Sequence, residues 1–516
     1  MRTKSPRHSG VLLHISSLPN PFGIGDLGAE AYAFADKLAS SGFDHWQILP
    51  LGPTGYGNSP YASRSTFAGN ELFIDVRSLV QSGLLAETDI ACPPPFPVDR
   101  VDYEAVLAWK LPLVKRAALR FLERLDHTDK NYGFRLFCDS ERYWLDDYAL
   151  FMTLYEHYHD ARWFSHWRED HGRRMQTAIT TYLAVHAQEI EVWKAMQFFF
   201  HQQWLDFRRH VNHLGIKLIG DLPIFVAADS VDTWSNPELF KTDTNGNFTA
   251  LSGVPPDFFS ATGQLWGNPV YDWNACARTG YRWWIQRISR ALQYTDILRI
   301  DHFRGFDAYW EVPAGQTTAE HGTWVQAPGQ DFFATLRRVL GEVPIIAEDL
   351  GVMTPSVEQL RDTNGFPGMK ICQFGFSLDP QGDLDSHDEF LPHNYGYACV
   401  AYTGTHDNDT TLGWFKSIDA RLQAETCRYL HCPREEIVMS MIRAVVASHA
   451  QYVVIPVQDI FNLDNSARMN TPSTCGPENW AWRLTDKQFC LFPSEELHVL
   501  LKTYGRIPQV VLPVHA

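Results

Sequence analysis

No stretch of this 516-residue chain reaches the roughly 18 consecutive apolar residues of a membrane span, so no membrane partner is expected. Near the start the longest apolar stretch is Val11-Leu12-Leu13, cut off by His14, which is too short for the core of a secretory signal. Basic residues are in deficit: 44 Lys plus Arg face 60 Asp plus Glu, a formal charge of −16. Such a surface repels phosphate backbones, so nucleic acid is not an expected partner. Pairing motifs for cysteine are also missing. The nine cysteines are odd in number and show no C-x-x-C spacing, which reads as reduced thiols in a cytoplasmic protein.

No Walker-type phosphate cradle and no H-E-x-x-H pair occurs, so neither a metal nor any other cofactor is expected. His157, His159, His166 and His171 make a histidine-rich patch, but the first two fall on different faces of a helix. Asp243-Thr244-Asn245-Gly246-Asn247 has its glycine misplaced for a calcium loop and reads as an Asn-Gly hairpin turn. What the chain does hold is 45% hydrophobic residues, enough for a large core, and 17 Trp, 20 Tyr and 32 Phe. Part of that aromatic surplus must be core. Trp and Tyr on loops also stack on the apolar C–H faces of sugar rings.

Eight short apolar runs, at 11–15, 45–49, 217–220, 297–300, 343–347, 369–373, 399–402 and 452–457, each end in polar residues and mostly lead into helical patterns. That alternation predicts an α/β fold, a (β/α)8 TIM barrel whose functional groups sit at the C-terminal strand ends. A doubly wound open sheet is the alternative. The whole chain, 1–516, reads as a single barrel domain that carries a mostly helical inserted subdomain at 80–212 and a loop-rich insertion at 222–278. Trp193, Met196, Phe200, Trp204, Phe207 and Val211 recur at steps of three and four and predict the packed stripe of one long helix. Pro93-Pro94-Pro95-Phe96-Pro97 suits the connection into the insertion, because prolines continue neither a helix nor a central strand.

The strand ends carry acids. Arg299 and Asp301 lie two residues apart on one strand face, where the arginine can hold the carboxylate ionised; a structural salt bridge is the competing explanation. Glu348 ends the next strand, and neighbouring strands about 4.8 Å apart let two carboxyl groups approach the roughly 5 Å of a retaining glycosidase pair. Asp349 suits a helix N-cap. After the seventh strand, His406 and Asp407 suit hydrogen bonds to vicinal sugar hydroxyls, while Asn408, Asp409 and Thr410 suit a helix cap. Asp221 ends the third strand.

Longer ordered motifs accompany these acids. They include Gly10-Val11-Leu12-Leu13-His14-Ile15-Ser16-Ser17-Leu18-Pro19, Gly52-Pro53-Thr54-Gly55-Tyr56-Gly57-Asn58-Ser59-Pro60-Tyr61 and Gly253-Val254-Pro255-Pro256-Asp257-Phe258-Phe259-Ser260. Gln264-Leu265-Trp266-Gly267-Asn268-Pro269, Pro456-Val457-Gln458-Asp459 and Arg468-Met469-Asn470-Thr471-Pro472 complete the set. Over essentially its whole length the chain resembles the amylomaltases, the 4-alpha-glucanotransferases of glycoside hydrolase family 77 in the alpha-amylase superfamily. The resemblance implies Asp301 as nucleophile, Glu348 as general acid/base and Asp407 as the third, transition-state-stabilising acid. It implies that Arg299, His302, His406 and Asp221 line the cleavage subsite, with the aromatics Tyr61 and Trp266 around it. Phe258 and Phe259 match the acceptor-side cover, Tyr56 a remote glucan site, and Asn470 a position near the centre. The extra N-terminal carbohydrate-binding segment of some relatives is not expected.

The implied chemistry is a double displacement on α-1,4-glucans such as maltooligosaccharides, starch or glycogen chains. An α-1,4-glucan hydrolase with the same acids is the alternative, and a non-enzymic glucan binder would normally have lost one acid. Residues 251–273 hold so many prolines and aromatics that they read as a lid excluding water from the acceptor side, with a packed connection against the helical insertion as the competing explanation. No oligomeric state is legible.

Overall fold

The computed structural model describes residues 6–125, 131–256 and 260–507. Among the described residues twelve strands, numbered along the chain, form two sheets. Eight of them are parallel: β1 (His8–Leu12), β2 (His45–Gln47), β3 (Lys217–Pro223), β6 (Ile297–Asp301), β9 (Ile345–Ala347), β10 (Gly368–Ile371), β11 (Cys399–Tyr402) and β12 (Tyr452–Pro456). Their order is β10-β11-β12-β1-β2-β3-β6-β9, so each strand expected from the sequence is present. Interior strands such as β12 are buried on both faces, Val453, Val454 and Ile455 alike, as parallel strands beneath covering helices require.

The two ends of that order meet, which makes the sheet a (β/α)8 barrel rather than an open doubly wound sheet. Ala347 N–H donates to the Pro367 carbonyl at 3.0 Å, and the Asp349 carboxylate accepts from Met369 N–H at 2.7 Å while pairing with Arg361. Asp349 therefore does not cap a helix, contrary to its sequence context. The next helix, Pro355–Thr363, starts from Thr354, and Asp349 instead closes the seam between β9 and β10. Thr410 does act as a cap, accepting from Gly413 N–H.

Long helices, Tyr103–Leu125, Asn131–Tyr158 and Ala187–His213, occupy the connection between β2 and β3. The stripe from Trp193 to Val211 is buried throughout. Lys110 in the first of these helices pairs at 2.7 Å with Asp26 in the loop after β1, both side chains fully buried. Burial raises the Asp26 carboxyl to about 6 against the opposing pull of Lys110. Deleting either partner would strand a buried charge, at about 3–5 kcal/mol, so this pair pins the insertion to the barrel.

The stretch expected to be loop-rich, 222–278, contributes two strands to a second sheet. β4 (Ala250–Val254) and β5 (Gln264–Pro269) join β7 (Ala308–Pro313) and β8 (Thr323–Gln326) in the antiparallel order β5-β4-β7-β8. Gly253 in β4 and Gly267 in β5 interrupt the alternation that would have announced these strands. Gly263 is required: its φ is +67°, and a Cβ there would lie 2.4 Å from the Val254 carbonyl oxygen. Residues 243–247 do form a tight turn between bridged Thr242 and Phe248, with Gly246 at φ +78°. Among the described residues no helix is long and apolar enough to cross a membrane.

Candidate active site

Asp301 is the last residue of β6, and Glu348 directly follows β9. Ile300 pairs with Ala347 across these strands, so the two acids occupy the next register step, on strands about 4.8 Å apart. Backbone bonds fix that step: Glu348 N–H donates to the Ile300 carbonyl, and Phe303 N–H to the Glu348 carbonyl, both at 3.0 Å.

Arg299 organises the neighbouring charges. It pairs in register with Asp221 on β3 and donates to both carboxylate oxygens, at 2.8 and 2.7 Å. Its other terminal nitrogen donates to Asp301 Oδ1 at 2.9 Å. Tyr61, from the loop after β2, donates its hydroxyl to Asp221 Oδ2 at 2.7 Å. One buried guanidinium thus positions two carboxylates, and among the described residues Asp301 Oδ2 has no hydrogen-bond partner.

Glu348 is held differently. Its Oε2 accepts from His302 N–H at 2.7 Å and its Oε1 from Leu350 N–H at 2.9 Å. His302 adopts φ +52°, a left-handed conformation uncommon outside glycine and typical of functional turns. Trp266 on β5 packs edge-on against the His302 ring, 4.7 Å between centroids.

The loop after β11 supplies the third acid. His406 Nε2 lies 3.3 Å from Asp407 Oδ2, near enough for an ion pair though outside hydrogen-bond alignment. Asn470 donates to Asp407 Oδ1 at 2.7 Å. The Tyr61 ring stacks on His406, 5.2 Å apart and inclined by 11°. A single run of contacts therefore links Asp301, Arg299, Asp221, Tyr61, His406, Asp407 and Asn470.

Two further residues of this cluster were not singled out from the sequence. Arg468 donates to the Asp407 carbonyl at 2.6 Å and pairs with Asp409. Trp480 lies 5.5 Å from the Tyr61 ring and 5.9 Å from His406. Arg468 stands in the Arg468-Met469-Asn470 motif, which was signal enough. Trp480 had none beyond the local Trp480-Ala481-Trp482 density. Tyr56 sits exposed in the turn Tyr56–Asn58, and no described contact joins it to the acids. Phe258 and Phe259 lie outside the described residues.

The carboxyl groups differ in proton affinity, and the physical causes differ with them. Burial, then the nearby Asp301 charge, pushes Glu348 up to about 8, overriding Arg299 and the two backbone donors that favour its anion. Burial also raises Asp301, to about 6, with Arg299 pulling the other way. For Asp407 burial acts upward too, but the adjacent His406 charge and the Asn470 amide win and hold it below the carboxylate range. His302 is lowered to about 3 by burial and by Arg304, so its ring is neutral. Around pH 7 Glu348 is thus protonated beside the ionised Asp301 and Asp407. The side chains of Asp301 and Asp407 remain 28% and 42% exposed, so both face a cleft that a ligand can enter.

Far from the cleft, His8, Asp44 and His45 bring three ligand-type atoms within 4.8 Å of one another. Asp44 Oδ2 and Oδ1 already bond the His8 and His45 Nδ1 atoms, each at 2.7 Å, and Oδ1 also accepts from Ser9 N–H. This cluster ties the starts of β1 and β2 at the rim opposite the acids.

The family profile described as 4-alpha-glucanotransferase matches residues 13–488. The 4-alpha-glucanotransferase of Streptococcus pneumoniae serotype 4 is 45% identical over 506 residues, covering 97% of this chain and 98% of that protein. The 4-alpha-glucanotransferase of Thermus thermophilus is also 45% identical, over 93% of this chain and 95% of its own. Among solved structures, an amylomaltase from Streptococcus agalactiae in complex with acarbose superposes with a TM-score of 0.92 at 38% identity, covering 97% of this chain and all of that one. The chain belongs to the 4-alpha-glucanotransferases, glycoside hydrolase family 77.

Proposed function

We propose that the chain exchanges α-1,4-glucosidic bonds by a retaining double displacement in which Asp301 attacks and Glu348 handles the proton. Glu348, protonated near neutral pH, donates to the departing glycosidic oxygen while Asp301 Oδ2 attacks the anomeric carbon. A β-linked glycosyl enzyme results. Glu348, now ionised, takes the proton from the 4-hydroxyl of an acceptor glucan, which attacks and restores an α-1,4 bond. The bond broken and the bond made are alike, so the exchange runs without an external energy source.

The observation that carries this reading is the pairing of one raised carboxyl with one arginine-held carboxylate on adjacent strand ends. Asp407, kept ionised, suits the vicinal hydroxyls of the reacting ring and the positive charge that develops on it. Tyr61, Trp266, His302, His406 and Asn470 line the ring's surroundings, and Arg299 and Asp221 hold the geometry. We assign Phe258 and Phe259 to the acceptor-side cover and Tyr56 to a remote glucan contact, both on the family resemblance. The barrel 1–516 with its helical insertion at 80–212 acts as one catalytic unit. Starch, glycogen or maltooligosaccharide chains are its substrates, and nine free cysteines favour a cytoplasmic location.

Maltotriose distinguishes transfer from hydrolysis. Transfer yields glucose and a ladder of longer oligosaccharides at a constant number of reducing ends. A reducing-end count that climbs in step with maltotriose loss would replace the transferase with a hydrolase.

A further inference from the structure

The geometry points to a second carbohydrate pocket, for one glucosyl unit of an α-glucan, lined by Tyr143, Trp144, Trp283 and Gln286 and separate from the three acids. This inference rests on the reading of the chain as an enzyme of α-glucans. The pocket opens between the helices Asn131–Tyr158 and Arg282–Tyr294 and encloses about 200 Å³. A dry cavity of about 150 Å³ already admits benzene, so this volume has room for a pyranose ring.

Its walls have the chemistry of a sugar site. Phe67 forms the centre of an aromatic cluster, meeting Tyr143 edge-on at 5.8 Å, Trp283 edge-on at 5.9 Å and Trp144 in a stacked arrangement at 6.5 Å. Tyr143 stands at the mouth and is 42% exposed, an amphipathic ring placed where it can cover an apolar sugar face. Trp283 is only 8% exposed, yet its indole Nε1 has no hydrogen-bond partner among the described residues. That nitrogen is sealed from solvent, so Trp283 lines the pocket with its ring rather than with its N–H. Gln286, Arg282 and Glu238 add an amide, a guanidinium and a carboxylate, planar groups suited to paired hydroxyls. Asp232 adds a second carboxyl group to the lining, so acidic groups outnumber the one guanidinium, which disfavours an anionic ligand and suits a neutral one.

The pocket also adjoins a cavity bounded by two residues that line the cluster of acids. Ser65, Phe67 and Asp232 line both it and a neighbouring cavity that includes Tyr61 and Asp221, and Thr66 N–H donates to Asp232 Oδ2 at 2.9 Å. A glucan anchored here is held behind the wall that carries the Tyr61–Asp221 bond, close to the reacting site without occupying it.

The test titrates maltotriose calorimetrically into Asp301→Asn protein with and without Tyr143→Ala plus Gln286→Ala, after melting curves confirm equal folding. Arg282→Ala on the exposed rim repeats the test without touching the packed rings. The pocket predicts one fewer equivalent of maltotriose bound in the double variant, retention on an amylopectin gel about tenfold weaker, and maltotriose transfer in the otherwise wild-type enzyme within about twofold of normal. Unchanged stoichiometry and unchanged retention in both variants would overturn the pocket and leave the proposed function standing. If the parent Asp301→Asn protein bound no maltotriose at all, the α-glucan reading and the pocket would fall together.

Discussion

Replacing Glu348 with glutamine removes the charge that burial and Asp301 oppose, and so changes how stability depends on pH. The Glu348 carboxyl is raised from 4.5 to about 8 in the folded chain. Between those values the native state keeps a proton that the unfolded state has released, so wild-type stability falls as pH rises through this window. Realised in full, the shift costs the wild type about 4 kcal/mol between pH 5 and pH 9; realised by half, about 2 kcal/mol. The neutral amide of the Glu348→Gln variant has no proton to lose and escapes this cost. It has a separate, pH-independent one, because the amide has a single acceptor oxygen for the N–H groups of His302 and Leu350, whereas two carboxyl oxygens accept them at 2.7 and 2.9 Å. Leaving one of them unpaired costs about 1–3 kcal/mol. Glu348→Gln should therefore be less stable than wild type at pH 5 and gain on it steadily, drawing level or passing it by pH 9. Urea midpoints of both proteins at half-unit pH intervals measure the difference, in which the titrating groups that do not interact with Glu348 cancel. A gap between the two proteins that stays constant from pH 5 to pH 9 would refute the raised Glu348 proton affinity and, with it, the assignment of Glu348 as the acid at neutral pH.

The rate of maltotriose disproportionation should follow a bell, rising as Asp301 ionises near pH 6 and falling as Glu348 loses its proton near pH 8; a single flat plateau from pH 5 to 9 would contradict both. Arg299→Met strips the cation from Asp221 and Asp301, so it should cost about 3–5 kcal/mol of stability and move the acid limb to higher pH, read from melting curves and a pH–rate profile. Phe258→Ala with Phe259→Ala should raise free glucose release relative to transfer with little change in melting temperature; an unchanged ratio with a lowered melting temperature would make that segment a packed connection.

The eight barrel strands were legible because parallel strands buried on both faces leave dense apolar runs. Their edges were less so. β1 starts at His8 rather than Val11, since its first residues are polar and are satisfied by Asp44, a contact invisible in local pattern. The four-stranded sheet was missed for a related reason: its strands are short, partly exposed and interrupted by Gly253 and Gly267. Asp349 reads locally as a cap, yet its partners Met369 and Arg361 come from later elements. Within the site, acids ending apolar strands stand out because a core has no use for them. Trp480 does not, because its neighbours Tyr61 and His406 are distant in sequence and only the closed barrel brings them together.

The proposed double displacement passes through a glycosyl group bonded to Asp301, and trapping that bond tests it. In Glu348→Ala the first step with α-maltosyl fluoride needs no proton, because fluoride leaves unaided, while the second step lacks its base. Mass spectrometry of the digested protein should then find the added maltosyl mass on the peptide that contains Asp301, in proportion to a burst of released fluoride. Fluoride release with no added mass on that peptide, or with the mass on another residue, would contradict the account.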